Sequence, residues 1–168
     1  MGYVNDTHMS RWIDPGAIIK SAGTWTRTYS SNKIFDRRTA ADANANLFVP
    51  ITIPQNSSIE KGSKVASIDV FYNITTAALD DFATVELNKE TVSSVGAHTA
   101  AAVTTSLDSG HDTAAERKAT GEHKMTITIT TPEFLDDDSF YMLYMVIDAA
   151  ASSVFDLVGV RVNYTFRA

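Results

Sequence analysis

Lys64-Val65-Ala66-Ser67-Ile68-Asp69-Val70-Phe71-Tyr72-Asn73-Ile74-Thr75 repeats with a period of two. Ala66, Ile68, Val70, Tyr72 and Ile74 fall on one face. Ser67, Asp69 and Asn73 fall on the other, with Phe71 as the exception. Side chains of a strand alternate between the two faces of a sheet, so this pattern predicts a strand rather than a helix. One apolar and one mainly polar face belong to an antiparallel sheet with one wet side.

The same pattern spreads downstream. Residues 82–91 alternate, with Ala83, Val85 and Leu87 against Thr84, Glu86 and Asn88. A short strand is expected over 102–107. His123 to Thr131 places Met125, Ile127 and Ile129 inward and Thr126, Thr128 and Thr130 outward. Ser139 to Asp148 is apolar on both faces, the mark of a central strand. Val154 to Phe166 closes the chain with Val154, Val158, Val160, Val162, Tyr164 and Phe166 on one expected face and Asp156 as the outlier. Upstream, residues 46–54 are β-like, but Pro50 and Pro54 lack the ladder N–H and point to an edge strand. Gln55 to Lys61 reads as a polar turn. Residues 112–119 form the one expected short helix, capped by Asp112 and stopped at Gly121. About eight strands and almost no helix predict an all-β, antiparallel β-sandwich. The long connection over 92–121 favours a jelly-roll-like order.

Residues 1–45 read as an irregular N-terminal arm, and residues 46–168 as the sandwich domain. The arm is rich in turn residues, including Asp14-Pro15-Gly16 and Ser30-Ser31-Asn32, with one alternating piece at 24–29. Trp12, Trp25, Tyr29 and Phe35 lie in it. They are either docked core or exposed anchors for a partner.

At 168 residues with 44% hydrophobic and 20% charged residues, the chain is of ordinary single-domain composition. With 0 cysteines there is no disulfide, thiolate metal site or cysteine nucleophile. The net charge of -6 argues against nucleic-acid binding. No apolar run approaches a membrane span, so no membrane partner is expected. Met1 to Arg11 lacks the basic and apolar regions of a signal peptide.

Chemistry-bearing motifs are sparse. His8, His98, His111 and His123 show no metal-ligand spacing. Asp136, Asp137 and Asp138 could offer oxygen to a hard cation but more simply form a solvated turn. Ser109, His111 and Asp112 are neighbours in sequence, whereas a triad must converge from separate positions. Neither a GxSxG elbow nor a glycine-rich phosphate loop occurs. No cofactor and no enzymatic activity are expected.

The run 48–57, the run 61–72, residues 77–80, residues 130–135 and the closing 159–164 resemble β-sandwich virion proteins of tailed bacteriophages. The resemblance spans about residues 20–168. It implies a jelly-roll-like fold, localisation in the virion and self-association, in that group often as trimers. It also implies contact with a major capsid protein or other virion proteins. The leading expectation is a capsid decoration or cement protein. The alternative is a carbohydrate- or receptor-binding module of a phage fibre or tail.

Overall fold

The protein is described here by a computed structural model covering residues 6–39, 41–55 and 62–167. The chain forms β1 (Asp6–Ile13), β2 (Ile19–Lys20), β3 (Trp25–Ser30), β4 (Lys33–Arg38), β5 (Asp42–Ile51), β6 (Gly62–Thr75), β7 (Val85–Val92), β8 (His98–Ala102), β9 (Thr105–Leu107), α1 (Ala114–Arg117), β10 (Gly121–Ile129), β11 (Ser139–Ala149) and β12 (Val154–Arg167). All strand pairings are antiparallel. The turn expected over 55–61 lies, beyond Gln55, outside the described residues.

Two sheets face each other. Sheet A runs β3-β4-β12-β6-β10-β9, with β1 also on β12, and sheet B runs β2-β5-β11-β7-β8. Eight of these strands, taken as β4, β5, β6, β7, β8, β10, β11 and β12, give the orders 1-8-3-6 and 2-7-4-5. That is the interlocked double Greek key of a jelly roll. The core between the sheets is dry and continuous. It holds Ile68, Val70, Tyr72 and Ile74 of β6, Met125, Ile127 and Ile129 of β10, and Tyr141, Leu143, Met145 and Ile147 of β11. On β10, and on β6 from Ile68 onward, the inward residues are those the alternation predicts. At the start of β6 a register shift turns Val65 inward instead of Ala66. β11, apolar on both faces in sequence, buries Tyr141, Leu143, Met145 and Ile147. β11 is central to sheet B, between β5 and β7. Among the described residues, no helix is long and apolar enough to cross a membrane.

The first 45 residues differ from the expected arm. β1 pairs along β12 from Asp6↔Arg167 to Ile13↔Val160, β3 and β4 form a hairpin, and β5 crosses the expected boundary at 45. β4 supplies the first strand of the jelly roll. Backbone pairing, not apolar alternation, holds β1: seven of its eight residues are exposed. The segment carries little periodicity because one side of it is only lightly buried.

β12 also departs from the expected pattern. Phe155 and Leu157 are buried, and then Val160, Val162 and Tyr164 are buried. The register shifts between Leu157 and Gly159, a β-bulge that inverts the faces of the strand. Gly159 has φ +147, and a Cβ there would lie 2.6 Å from Trp12 Cζ2 and 2.9 Å from the Ile13 carbonyl. Only glycine lets β1 close over the bulge. The helix begins one residue later than expected. Thr113, not Asp112, caps it, in a reciprocal capping box with Glu116.

Candidate binding face

A layer of polar and aromatic contacts lies on the outer side of sheet A, where alternation leaves Asp69, Phe71 and Asn73 of β6 pointing away from the core. Asp69 is only 2% exposed there. Arg161 reaches its Oδ2 from Nε (3.0 Å) and Nη2 (2.7 Å), and Asn163 Nδ2 donates to the same oxygen at 3.1 Å. Thr126 Oγ1 donates to Oδ1 at 2.7 Å, and Lys124 Nζ stands 3.7 Å away. Burial works to raise this carboxyl, but the Arg161, Thr126 and Asn163 hydrogen bonds and the Lys124 charge outweigh it, holding the pKa below the usual value. Phe71 sits between two partners. Trp12 packs on it with centroids 5.3 Å apart, and the Arg161 guanidinium lies 5.5 Å from its ring centre.

Next to this layer a cleft of about 590 Å³ opens between the β3–β4 hairpin and strands β6, β10 and β12. One wall is fixed in place. Arg37 forks onto Asp156 through two 2.7 Å hydrogen bonds, and its guanidinium lies 5.0 Å from the centre of the Phe35 ring. Phe71 and Val158 add apolar surface, while Lys33, Asn73, Glu122 and Lys124 bring polar groups of both signs. Such a cleft, with aromatic surface and a few polar groups around it, suits a small or extended amphipathic ligand.

A histidine pair supports the cleft from one side. His111 Nδ1 contacts Asp108 Oδ1 at 2.8 Å, His111 Nε2 contacts His123 Nδ1 at 3.1 Å, and His123 Nε2 contacts the Ala119 carbonyl at 2.9 Å. Tyr72 stacks on His123, centroids 4.6 Å apart and nearly parallel. Burial lowers the pKa of His123, so it is assigned as neutral, donating Nε2–H to Ala119. His111 turns to Asp108 rather than to Asp112, and sequence adjacency with Ser109 produces no triad.

The four aromatic residues of the N-terminal segment separate. Phe35 is buried on the cleft wall, and Trp25 packs edge-on against Phe155 and donates Nε1–H to the Ala22 carbonyl. Trp12 is 48% exposed and Tyr29 75% exposed. Asp136, Asp137 and Asp138 are exposed in a turn, and Asp138 accepts from the Ser139 hydroxyl. Among the described residues, no three His, Asp or Glu side chains converge as metal ligands. Sequence reasoning flagged Phe71 as an exception to the alternation without naming it as a site residue. Arg37 and Asp156 carried no signal beyond the charge of Asp156 on an apolar strand.

No known protein family matches the chain, and no curated protein does. Among solved structures it is similar to the N-terminal CBM22-1 and GH10 modules of Clostridium thermocellum endo-1,4-beta-D-xylanase 10B complexed with xylohexaose. The identity is 8% and the TM-score 0.47, over 100% of this chain and 29% of that one. It is also similar to a candidate sugar-binding protein of Bacteroides thetaiotaomicron, at 11% identity and TM-score 0.38, over 95% of this chain and 88% of that one. The chain spans under a third of the xylanase's length.

Proposed function

We propose that this protein is a non-catalytic binding module whose ligand is a carbohydrate held in the cleft on the outer face of sheet A. The carrying observation is the meeting of apolar surface from Phe71 and Val158 with the polar side chains of Lys33, Asn73 and Glu122 around one opening of about 590 Å³. A pyranose has an apolar face of C–H groups and a rim of hydroxyls. The Phe71 edge and the exposed Val158 offer apolar surface for the first, and Asn73, Glu122 and Lys33 offer hydrogen bonds to the second. The Arg37–Asp156 fork is already formed, so the Phe35 wall needs no ordering when the ligand arrives. A glycan array followed by calorimetry tests this reading. A glycan should bind, and Phe71→Ala should weaken binding about tenfold, roughly 1.4 kcal/mol, while the fold stays intact. No glycan bound at millimolar concentration, or an unchanged affinity in the variant, defeats it.

A second reading is favoured by the β3–β4 hairpin. β4 pairs with β12 only through Asp36, Arg37 and Arg38, so the tip projects. Its cross-strand pair Tyr29 and Ile34 is 75% and 38% exposed. Exposed aromatic and aliphatic residues on a protruding hairpin suit docking onto another protein, as a virion decoration protein would dock on a major capsid protein. Combining Tyr29→Ser with Ile34→Ser should abolish co-sedimentation with particles stripped of the protein. Undiminished co-sedimentation removes the hairpin from that role.

A further inference from the structure

We propose that β8 is a pairing edge, through which two copies of this chain join their sheets B in antiparallel register about a twofold axis at Ala100. An edge strand exposes unpaired N–H and C=O groups, and proteins usually blunt such edges by shortness, charge, proline or a covering segment. The other described edges follow that rule. β9 has three residues and β2 has two, β3 carries Arg27, β1 carries Asp6 and Arg11, and β5 is partly covered by β2 and contains Pro50.

β8 lacks all of these protections. All five of its residues are exposed. The segment Thr91–Leu107 contains no Asp, Glu, Lys or Arg. Val92 and Val95, at the tip of its hairpin, are 42% and 88% exposed. The chain carries a net charge of -6, so two copies repel each other overall. Pairing along this neutral segment avoids that repulsion.

The free backbone groups follow from the register. Val103 N–H donates to the Leu87 carbonyl, and the next register pair is Asn88↔Ala102. Antiparallel pairs alternate between bonded and non-bonded. Residues 99, 101 and 103 therefore bond to β7, and residues 98, 100 and 102 point their N–H and C=O outward. These three positions are symmetric about Ala100. A second copy places Ala100 opposite Ala100, and His98 opposite Ala102, so every outward donor meets an acceptor, about six hydrogen bonds in all. Alanine at positions 100 and 102 lets the strands approach. His98 is held back on its own sheet, its Nε2 2.6 Å from Glu90 Oε2 and its ring beside Phe140. This self-complementarity is why a second copy, rather than an unrelated strand, is the fitting occupant.

Sedimentation velocity of the full chain at rising concentration reads the result. Wild type should show a species of twice the 18.3 kDa chain mass. Ala100→Pro removes an outward N–H without touching the bonds to β7 and should remain monomeric. If it fails to fold, Ala100→Lys, which opposes two like charges across the axis, should give the same monomer. Because the chain has no cysteine, Ala100→Cys places one unique thiol at the axis. A short bis-maleimide should link two copies of it, and should leave exposed Thr128→Cys unlinked. A wild-type monomer at millimolar concentration, a dimer or trimer unaffected by Ala100→Pro, or an Ala100→Cys chain that does not cross-link would overturn the proposal. Glycan binding is a separate measurement, so failure of either idea leaves the other readable.

Discussion

Arg117→Ala should lower the unfolding free energy by about 4 kcal/mol, a drop in Tm of roughly 8–16 °C for a chain of this size. Arg117 is only 5% exposed. Its Nε donates to the Phe82 carbonyl at 2.8 Å, Nη1 to His111 at 2.8 Å and Asp112 at 3.2 Å, and Nη2 to Ala83 at 3.0 Å. One guanidinium thus ties the loop before β7 to the loop before α1, and the Arg117 carbonyl accepts from the buried Tyr72 hydroxyl. Burial raises the Tyr72 pKa, so that phenol stays a donor at any ordinary pH. Truncation strands four carbonyls, and each acceptor left dry costs about 1–3 kcal/mol. Water reaching the exposed Ala83 side offsets part of that sum. Arg117→Lys keeps the charge but offers a point donor instead of a fork, and should lose about half as much. Chemical denaturation at pH 7 measures both. A loss below 1 kcal/mol for the alanine variant would show that the loops hold without the guanidinium.

The legible and illegible parts of this fold divide along burial. β6 and β10 can be read because one face of each is pressed into the core, so only apolar residues are tolerated at every second position, whereas β11, apolar on both faces, is legible only as a central strand. β12 departs from its alternation at the start, from Val154 to Val158: the bulge beside Gly159 adds one residue, so Phe155 and Leu157 face the core before it, while Val160, Val162 and Tyr164 face the core after it as expected. A glycine inside a strand pattern was the available sign of that bulge. β1 was missed because backbone pairing along β12 does not require apolar side chains. The cleft was harder still. Its walls come from β4, β6, β10 and β12, brought together by sheet order, and no spacing along the chain encodes that. Phe35 was singled out for its aromatic ring. Its partner Arg37 and the Arg37–Asp156 fork, 119 residues apart, exist only in the folded sheet.

Asp69→Asn should cost about 2 kcal/mol at pH 7, and that cost should shrink in acid. Asp69 on β6 joins four neighbours on two other strands, so its loss loosens β6, β10 and β12 together. Its charged partners are partly wet: the Arg161 side chain is 40% exposed and that of Lys124 52%. Solvent screening therefore limits the Coulomb share, and most of the cost lies in the hydrogen bonds. The folded carboxyl has a pKa below its ordinary 3.8. A depressed folded pKa adds stability that is complete above the unfolded value and drains as pH falls through the folded one. Wild type should lose this contribution from about pH 5 downward, whereas the asparagine variant has none to lose. The gap between the two stability curves should narrow as pH falls below the ordinary carboxylate value and close only under the depressed folded pKa. Some acid slope survives in the variant, because Asp36 is also held low: burial raises its carboxyl, and Arg27 and Lys20 more than compensate. Urea unfolding of both proteins from pH 3 to 7 reads the gap directly. A gap of constant size over that range would mean that the shape of the residue, not its ionisation, secures the three strands.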